Sequence, residues 1–470
     1  MPELPEVETV RRTLERQIQG KTISRIELYR PQNIATDPGE FIRLVTGKSV
    51  AMLGRKGKWL RFHLSGDLVI LSHLRMEGKF YYYESKPEKG KHDIVRFDFS
   101  DGSCLVYNDT RKFGRLALSS MREYKNMPSY RDLGPEPWHI EPKEFLAKVA
   151  KRRIPAKEAL LDQSIMCGLG NIYADETLYA SHVHPLFPAN KLNLEQATAL
   201  VTNARKILDK SLLEGGSTVR TYHPGHGIDG RMQLRLRVYS RAFEPCLDCG
   251  HKLIKTEVGG RGTTFCPRCQ HQKGLPYVLG ITGPIHSGKS TAAAYFEAKG
   301  FHRFNADEVA KESYQNETIR EKVIAVIGEN AYKGTQPDFD YLRGRIAQDP
   351  KLKEEINAII HPYVFKKAQQ FIASFGEGES VLLDVPLLID AGMEAICDDI
   401  LLVDASIKAR EKRIHALGQD RAKLLAINKG YPLNKTKKYA SYVVKNNASV
   451  RNFNKKLDLV YKDISQGERR

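Results

Sequence analysis

Residues 246–290, CLDCGHKLIKTEVGGRGTTFCPRCQHQKGLPYVLGITGPIHSGKS, carry two unlike devices back to back. The first is Cys246-x2-Cys249-x16-Cys266-x2-Cys269, two cysteine pairs whose turns can close a tetrahedral site around one ion. Four soft sulfurs favour zinc over iron, and four protein ligands leave no open position, so the ion is expected to hold a hairpin rather than do chemistry. The second is Gly283-x4-Gly288-Lys289-Ser290, a complete GxxxxGK[ST] placed after the apolar run VLGIT and before a helical stretch ending near Gly300. Its amides and helix start suit nucleotide phosphates, with Gly283, Ser287, Gly288, Lys289, Ser290 and Thr291 as the binding residues. Lys289 would reach the β and γ oxygens of ATP, and Ser290 would ligate Mg2+. Only a few residues separate the two devices, so the chain reads as a fusion with a very short linker.

Upstream, Pro5 opens a helix with Val7, Val10, Leu14 and Ile18 at helical spacing, stopped at Gly20. From Lys21 to about Ser120 short β-rich runs follow, with Asp101-Gly102 marking a hairpin, which predicts a β-sandwich or barrel. Residues 141–216 are helical again, with Asn193 and Gln196 as a capping pair. After residue 277 apolar strands alternate with helices, the pattern of an α/β domain with a parallel sheet. A chain of 470 residues has room for two to four domains. Its net charge of +18 is uneven: residues 1–276 hold 44 basic and 31 acidic side chains, residues 277–470 hold 30 and 25. A basic front part of that size attracts nucleic acid, because neutralised phosphates release condensed counterions. No apolar run is long enough to span a bilayer and no basic amphipathic helix with an aromatic face is evident, so no membrane partner is expected and a cytoplasmic location is.

Two further positions are chemically suggestive. Removal of Met1 would leave Pro2 as a free secondary amine, titrating far below lysine and able to form an iminium with a sugar aldehyde, with Glu3 beside it to move the proton. The plain alternative is a helix lead-in, where Pro and Glu are favoured anyway. Between the cysteine pairs, GGRGTTF puts Arg261 at a hairpin tip, where it either grips a phosphate or is simply solvated.

PELPEVETVRR at the start, GLGNIYADE at 168–176 and the four-cysteine finger, in this order, resemble formamidopyrimidine-DNA glycosylase over residues 1–273. The resemblance implies an N-terminal β-sandwich domain (1–130), a helix-two-turn-helix domain (131–240) and a zinc finger (241–273), binding damaged double-stranded DNA. It implies that Pro2 attacks the sugar of an everted oxidised purine, such as 8-oxoguanine or a formamidopyrimidine, with Glu3 as acid and base. Lys58 would serve β-elimination and Arg261 δ-elimination, which makes the enzyme an AP lyase as well. Met76, Arg111 and Phe113 match the family's trio that fills the vacated stack. His92, Arg152, Lys157 and Asn171 match contacts to the DNA backbone. The PELPE start and Phe113 favour the purine branch over the related endonuclease VIII branch, which prefers oxidised pyrimidines. TVRTYHPGHGIDGRMQ, residues 218–233, resembles the segment that covers the everted base. A catalytically silent DNA-binding module is the alternative for this half.

Residues 277–470 resemble dephospho-CoA kinase, in the order GITG and SGKST, NAD at 305–307, IIHP at 359–362 and DVPLLID at 384–390. The resemblance implies ATP and dephospho-CoA as substrates, Asp307 as the base toward the ribose 3′-hydroxyl, and His361 in the substrate region. Asp384 and Asp404 end apolar runs near the expected site, and Arg410, Arg413 and Arg421 are candidates for lid contacts to polyphosphate. Asn305 stands where the family has the first Asp of DAD, and His286 where it has a loop Gly. A degenerate ATP-binding domain, or a kinase for another small nucleotide, is the alternative here. The whole is expected to be a monomer.

Overall fold

The computed structural model describes residues 2–215, 236–417 and 431–467, and the chain divides into two compact units. The first comprises Met1–Arg241 with Val258–Phe265; the second comprises Ala242–Glu257 with Cys266–Arg470. Within the segment expected as the finger, the hairpin residues Val258–Phe265 count with the first unit.

In the first unit, apolar residues alternating along eight strands build two four-stranded antiparallel sheets. One runs Ile23–Leu28, Asp93–Phe99, Cys104–Asp109, Gly78–Tyr83; the other runs Val50–Lys56, Trp59–Leu64, Leu68–His73, Arg115–Ser120. The helix Leu4–Ile18 lays Val7, Val10, Leu14 and Ile18 into the same core, with Phe62, Phe80 and Phe97 from the sheets. The expected turn at Asp101-Gly102 joins two paired strands, Gly102 taking φ +88°. Trp59 pairs with Lys56, so Gly57 and Lys58 form the two-residue tip of a hairpin. A second core belongs to the helices Pro142–Val149, Ala156–Leu161, Asn171–Ala180 and Leu194–Leu213. The capping pair forms as expected: Gln196 N donates to Asn193 Oδ1 at 2.8 Å and Asn193 N to Gln196 Oε1 at 3.0 Å.

The second unit is built on a five-stranded sheet in the order His302–Asn305, Ser380–Asp384, Tyr277–Thr282, Asp399–Asp404, Tyr442–Lys445. Every neighbouring pair is parallel, and apolar clusters pack on it, as near-continuous apolar strands require. The first strand in sequence sits in the middle, so strand order reverses beside it and the carboxyl ends of the strands frame a crevice. The P-loop leaves that strand and enters the helix Lys289–Glu297 at this edge. Among the described residues, no helix is long and apolar enough to cross a membrane.

One close approach in the first unit is open to test. A Cβ at Gly114 would lie 1.7 Å from the hydroxyl of Tyr107, a side chain with no exposed surface. Gly114→Ala is expected to cost about 1–3 kcal/mol in urea unfolding. Adding Tyr107→Phe, which removes the colliding oxygen, should return part of it.

Candidate active sites

The N-terminus of the first unit is fastened by an unusual cap. Gly170 ends the GLG stretch as the residue before the helix Asn171–Ala180, whose first amides have no partner within the helix. The carboxylate of Glu3 takes them: Gly170 N donates at 2.6 Å, Ile172 N at 2.9 Å and Tyr173 N at 3.4 Å. Leu4 N donates to Gly168 O at 3.1 Å, and a Cβ at Gly170 would sit 2.4 Å from the Glu3 carboxyl carbon, so only glycine admits this contact. The Glu3 amide donates to Glu6 Oε2 at 2.8 Å, and Glu6 Oε1 accepts from Tyr173 Oη at 2.6 Å. Pro2, half-buried, is thereby held at a fixed place beside Glu3.

Burial pushes the Glu3 carboxyl up to about 7, opposed by the charge of Lys58 and by the amides of Ile172 and Gly170 and reinforced by Glu6. Lys58, at its hairpin tip, is buried too, and lost hydration pulls its ammonium below the usual lysine range. Glu3 and Glu6 resist that shift, while Arg261 adds to it. Glu3, Lys58 and Arg261, which sequence reasoning drew from distant parts of the chain, thus come into one electrostatic neighbourhood, with Pro2 next to Glu3 in the chain.

Arg261 is exposed at the start of the strand Arg261–Phe265, just after the left-handed Gly259 and Gly260. The segment behind it is anchored by residues expected elsewhere. Lys157 is fully buried, paired with Asp175 at 2.7 Å and donating to Thr263 Oγ1 at 2.8 Å and Gly262 O at 3.1 Å. Its position holds the hairpin and reaches no solvent. Asn171 donates to Gly262 O at 2.8 Å from the first turn of its helix. Arg152 is exposed but engaged, 2.8 Å from Asp162 Oδ2. His92 is half-buried in the turn before the strand Asp93–Phe99.

Met76 and Phe113 are 40% and 54% exposed, against the burial their apolar side chains would favour. Arg111 joins them: its guanidinium donates to Met76 Sδ at 2.9 Å and lies 5.1 Å from the Phe113 ring centroid. Asp109, fully buried, accepts from the amides of Arg111 and Gly114, and Asn33 donates to the carbonyls of Lys112 and Gly114. Neither Asp109 nor Asn33 was singled out from sequence, nor was Glu176, whose carboxylate accepts from the amides of Arg237, Val238 and Tyr239.

The four cysteine sulfurs lie within 4.8 Å of one another, Cys246 to Cys269 at 3.8 Å and Cys249 to Cys266 at 3.5 Å. Zn–S bonds of about 2.3 Å in a tetrahedron require S···S distances near 3.8 Å, so the set fits one zinc ion. Burial lifts the Cys269 thiol to about 12, and only a bound cation would make four thiolates stable at such a spot.

In the second unit, Lys289 ion-pairs with Asp384, the buried last residue of its strand, and Arg303 donates to the other Asp384 oxygen at 2.6 Å. Asp307 stands in the first turn of the helix Ala306–Ser313, which Asn305 caps by accepting from the Asp307 amide at 3.1 Å. Lost hydration raises the Asp307 carboxyl, with Lys289 opposing and Asp384 adding. Asp404 faces Lys437 at 3.5 Å. Pro284, Asp404, Ser406, Arg410, Tyr431 and Asn447 help line a cavity of about 430 Å3 next to the P-loop. Arg413 is not a free lid residue: it donates to the carbonyls of His286 at 2.7 Å and Asn446 at 2.7 Å. Arg421 and the stretch 218–233 lie outside the described residues.

Residues 1–116, 133–223 and 243–272 match the family models described as Formamidopyrimidine-DNA glycosylase N-terminal domain, its H2TH domain, and Zinc finger found in FPG and IleRS. A formamidopyrimidine-DNA glycosylase of Lactobacillus gasseri is 44% identical over 272 residues, 57% of this chain and 99% of that protein. The chain belongs to the formamidopyrimidine-DNA glycosylase family. A family member from Streptococcus pneumoniae is 45% identical over 274 residues, 58% of this chain and all of that one. Among solved structures, Lactococcus lactis Fpg in complex with an abasic-site DNA is 38% identical with a TM-score of 0.54, covering 58% of this chain and all of that one. A mutant of the same Fpg with Fapy-dG containing DNA gives 39% and 0.55 over the same shares. Beyond the glycosylase family part, residues 277–452 match the Dephospho-CoA kinase family model, so the chain is a fusion of the two.

The raised Glu3 carboxyl has a consequence for stability. Its folded pKa, about 7, lies above the ordinary 4.5, so the native chain keeps a proton that the unfolded chain releases, and stability falls as pH rises from about 4.5 to 7. That contribution amounts to about 3 kcal/mol. Urea titrations at pH 5 and 7.5 should show Glu3→Gln losing less stability between the two than the wild type, since its amide does not titrate.

Proposed function

We propose that the chain is a bifunctional enzyme, joining excision of oxidised purines from double-stranded DNA, with strand cleavage at the resulting site, to ATP-dependent phosphorylation of dephospho-CoA. The observation that carries the first half is the pairing of a near-neutral, amide-held Glu3 carboxyl with Pro2 on one side and a buried Lys58 on the other. With Met1 removed, the Pro2 nitrogen attacks C1′ of the everted nucleotide. The bond from C1′ to the base breaks, the electron pair leaving with the base, and the opened sugar forms a protonated Schiff base on Pro2. Glu3, titrating near neutrality, gives and takes the protons of these steps. Lys58 serves removal of the C2′ proton, which expels the 3′ phosphate. Arg261 on the finger serves the second elimination, which expels the 5′ phosphate, and water then frees Pro2. The exposed trio Met76, Arg111 and Phe113 offsets the lost stacking by filling the gap, and the PELPE start with Phe113 favours oxidised purines over pyrimidines.

The second half rests on the P-loop at the carboxyl edge of the parallel sheet, with Asp307 beside it. Asp307 takes the proton of the ribose 3′-hydroxyl, the oxygen bonds to the γ-phosphorus, and the bond to the β-γ bridging oxygen breaks to release ADP. Lys289 turns from Asp384 to the phosphate oxygens, and Arg303 remains to balance the Asp384 charge. Mg2+, when bound near Ser290, neutralises developing phosphate charge.

Borohydride reduction during turnover of an 8-oxoguanine duplex is expected to leave a covalent adduct mapping to Pro2, and Glu3→Gln should slow excision about 10²–10⁴-fold. A correctly processed wild type that gives no adduct would refute the lyase assignment. For the other half, the wild type should phosphorylate dephospho-CoA, and Lys289→Ala should lower kcat/KM by at least about 100-fold. A wild type that binds ATP yet leaves dephospho-CoA unchanged overturns the kinase reading.

A further inference from the structure

We propose that the four-cysteine knuckle is a structural part of the kinase-like unit, and that its metal steadies the strand from which the P-loop springs. The proposal concerns only residues of the second unit and does not depend on either activity. Its centre is Asp398-Asp399, at the start of the strand Asp399–Asp404. Asp398 uses one oxygen for His271 Nδ1 at 2.7 Å and the other for the amide of Val278, in the P-loop strand, at 2.8 Å. One residue on, Tyr277 Oη donates to Asp399 Oδ2 at 3.0 Å, while His251 Nε2 lies 3.6 Å from Oδ1, close but without a hydrogen bond. Asp398 therefore links a knuckle histidine to the first strand of the sheet by hydrogen bonds, and Asp399, bonded to the same strand, packs beside the second histidine.

The two histidines occupy equivalent places. His251 follows Cys249 by two residues and His271 follows Cys269 by two, so closing the sulfurs around one ion fixes both imidazoles at once. Around them the knuckle makes further contacts to the unit. Lys252 Nζ donates to Ala440 O at 2.5 Å, and the ring of Phe243 meets that of Tyr439 edge-on at 4.8 Å. The linker is part of the arrangement, since Leu275 O lies 3.4 Å from His271 Nε2. A module this small has little core of its own, and metal binding supplies its folding energy. Losing the metal would release both histidines and leave the half-buried Asp398 short of a partner.

The test is hydrogen exchange with mass spectrometry on the full-length, zinc-loaded chain. A finger-side double variant, Phe243→Ala with His271→Ala, keeps all four cysteines and should keep one zinc per chain. It is expected to speed exchange in Val278–Thr282 and Ile400–Val403 on the order of tenfold, about 1.4 kcal/mol of local opening. The strands Trp59–Leu64 and Leu68–His73 of the first unit should exchange as before. Unchanged kinase strands, or equal acceleration in both units, overturns the proposal. Should that variant not fold, chelator applied to the wild type decides the matter. Protection of Val278–Thr282 lost in step with zinc supports the proposal, and zinc released with that protection intact overturns it.

Discussion

The first unit depends on one carboxylate placed where a helix begins. Glu3 is buried, and burial of an acid is tolerated only with partners. The unpaired amides at the start of Asn171–Ala180 supply them, together with the positive end of the helix dipole. The same contact fixes where the chain's second residue sits, and the burial that goes with it, outweighing the amides, brings a proton-carrying group to neutrality beside it. Lys58 completes the balance: two ionisable groups of opposite sign, each destabilised by lost hydration, each held partly charged by the other. Stability and reactivity are thus set by one arrangement, and Gly170 of GLGN matters because it lets the carboxyl come this close.

Much of this was legible in the sequence where the signal was local. The helical spacing of Val7, Val10, Leu14 and Ile18, the turn at Asp101-Gly102, the capping pair at Asn193 and Gln196, and the cysteine spacing each depend on neighbours a few residues apart. Pairings between distant positions were not legible. Nothing in KEALL or in YADET announces that Lys157 and Asp175 will be enclosed together behind Gly262 and Thr263, because an ion pair leaves no periodic trace. Asn33 and Asp109 escaped for the same reason: they support the exposed Met76, Arg111 and Phe113 from beneath through backbone bonds, which several polar residue types can make. Family resemblance named the trio without revealing what holds it up.

Lys157 shows how burial dictates the surroundings of a charge. A fully buried ammonium carries a desolvation cost that its partners must offset. Asp175, the Thr263 hydroxyl and the Gly262 carbonyl together satisfy it, and the result is a rigid seat for the segment that presents Arg261. Lys157 therefore bears on Arg261 by placing it.

The P-loop gives the converse case, a departure from pattern that the surrounding structure absorbs. His286 occupies φ +58°, a left-handed conformation that costs a side-chain-bearing residue about 1–2 kcal/mol where glycine would adopt it freely. The two carbonyls that follow the strained bond are not left to drift. Arg413 donates to His286 O and, at 3.1 Å, to Ser287 O, while Asn446 Nδ2 donates to Ser287 O at 2.9 Å and its own carbonyl accepts from Arg413. These bonds over-determine the loop's path, so the strain is confined to one torsion and the amides that face phosphate keep their directions. Arg413, spent on this task, is unavailable to a lid, and the loss of a glycine at position 286 says little by itself against a working phosphate cradle.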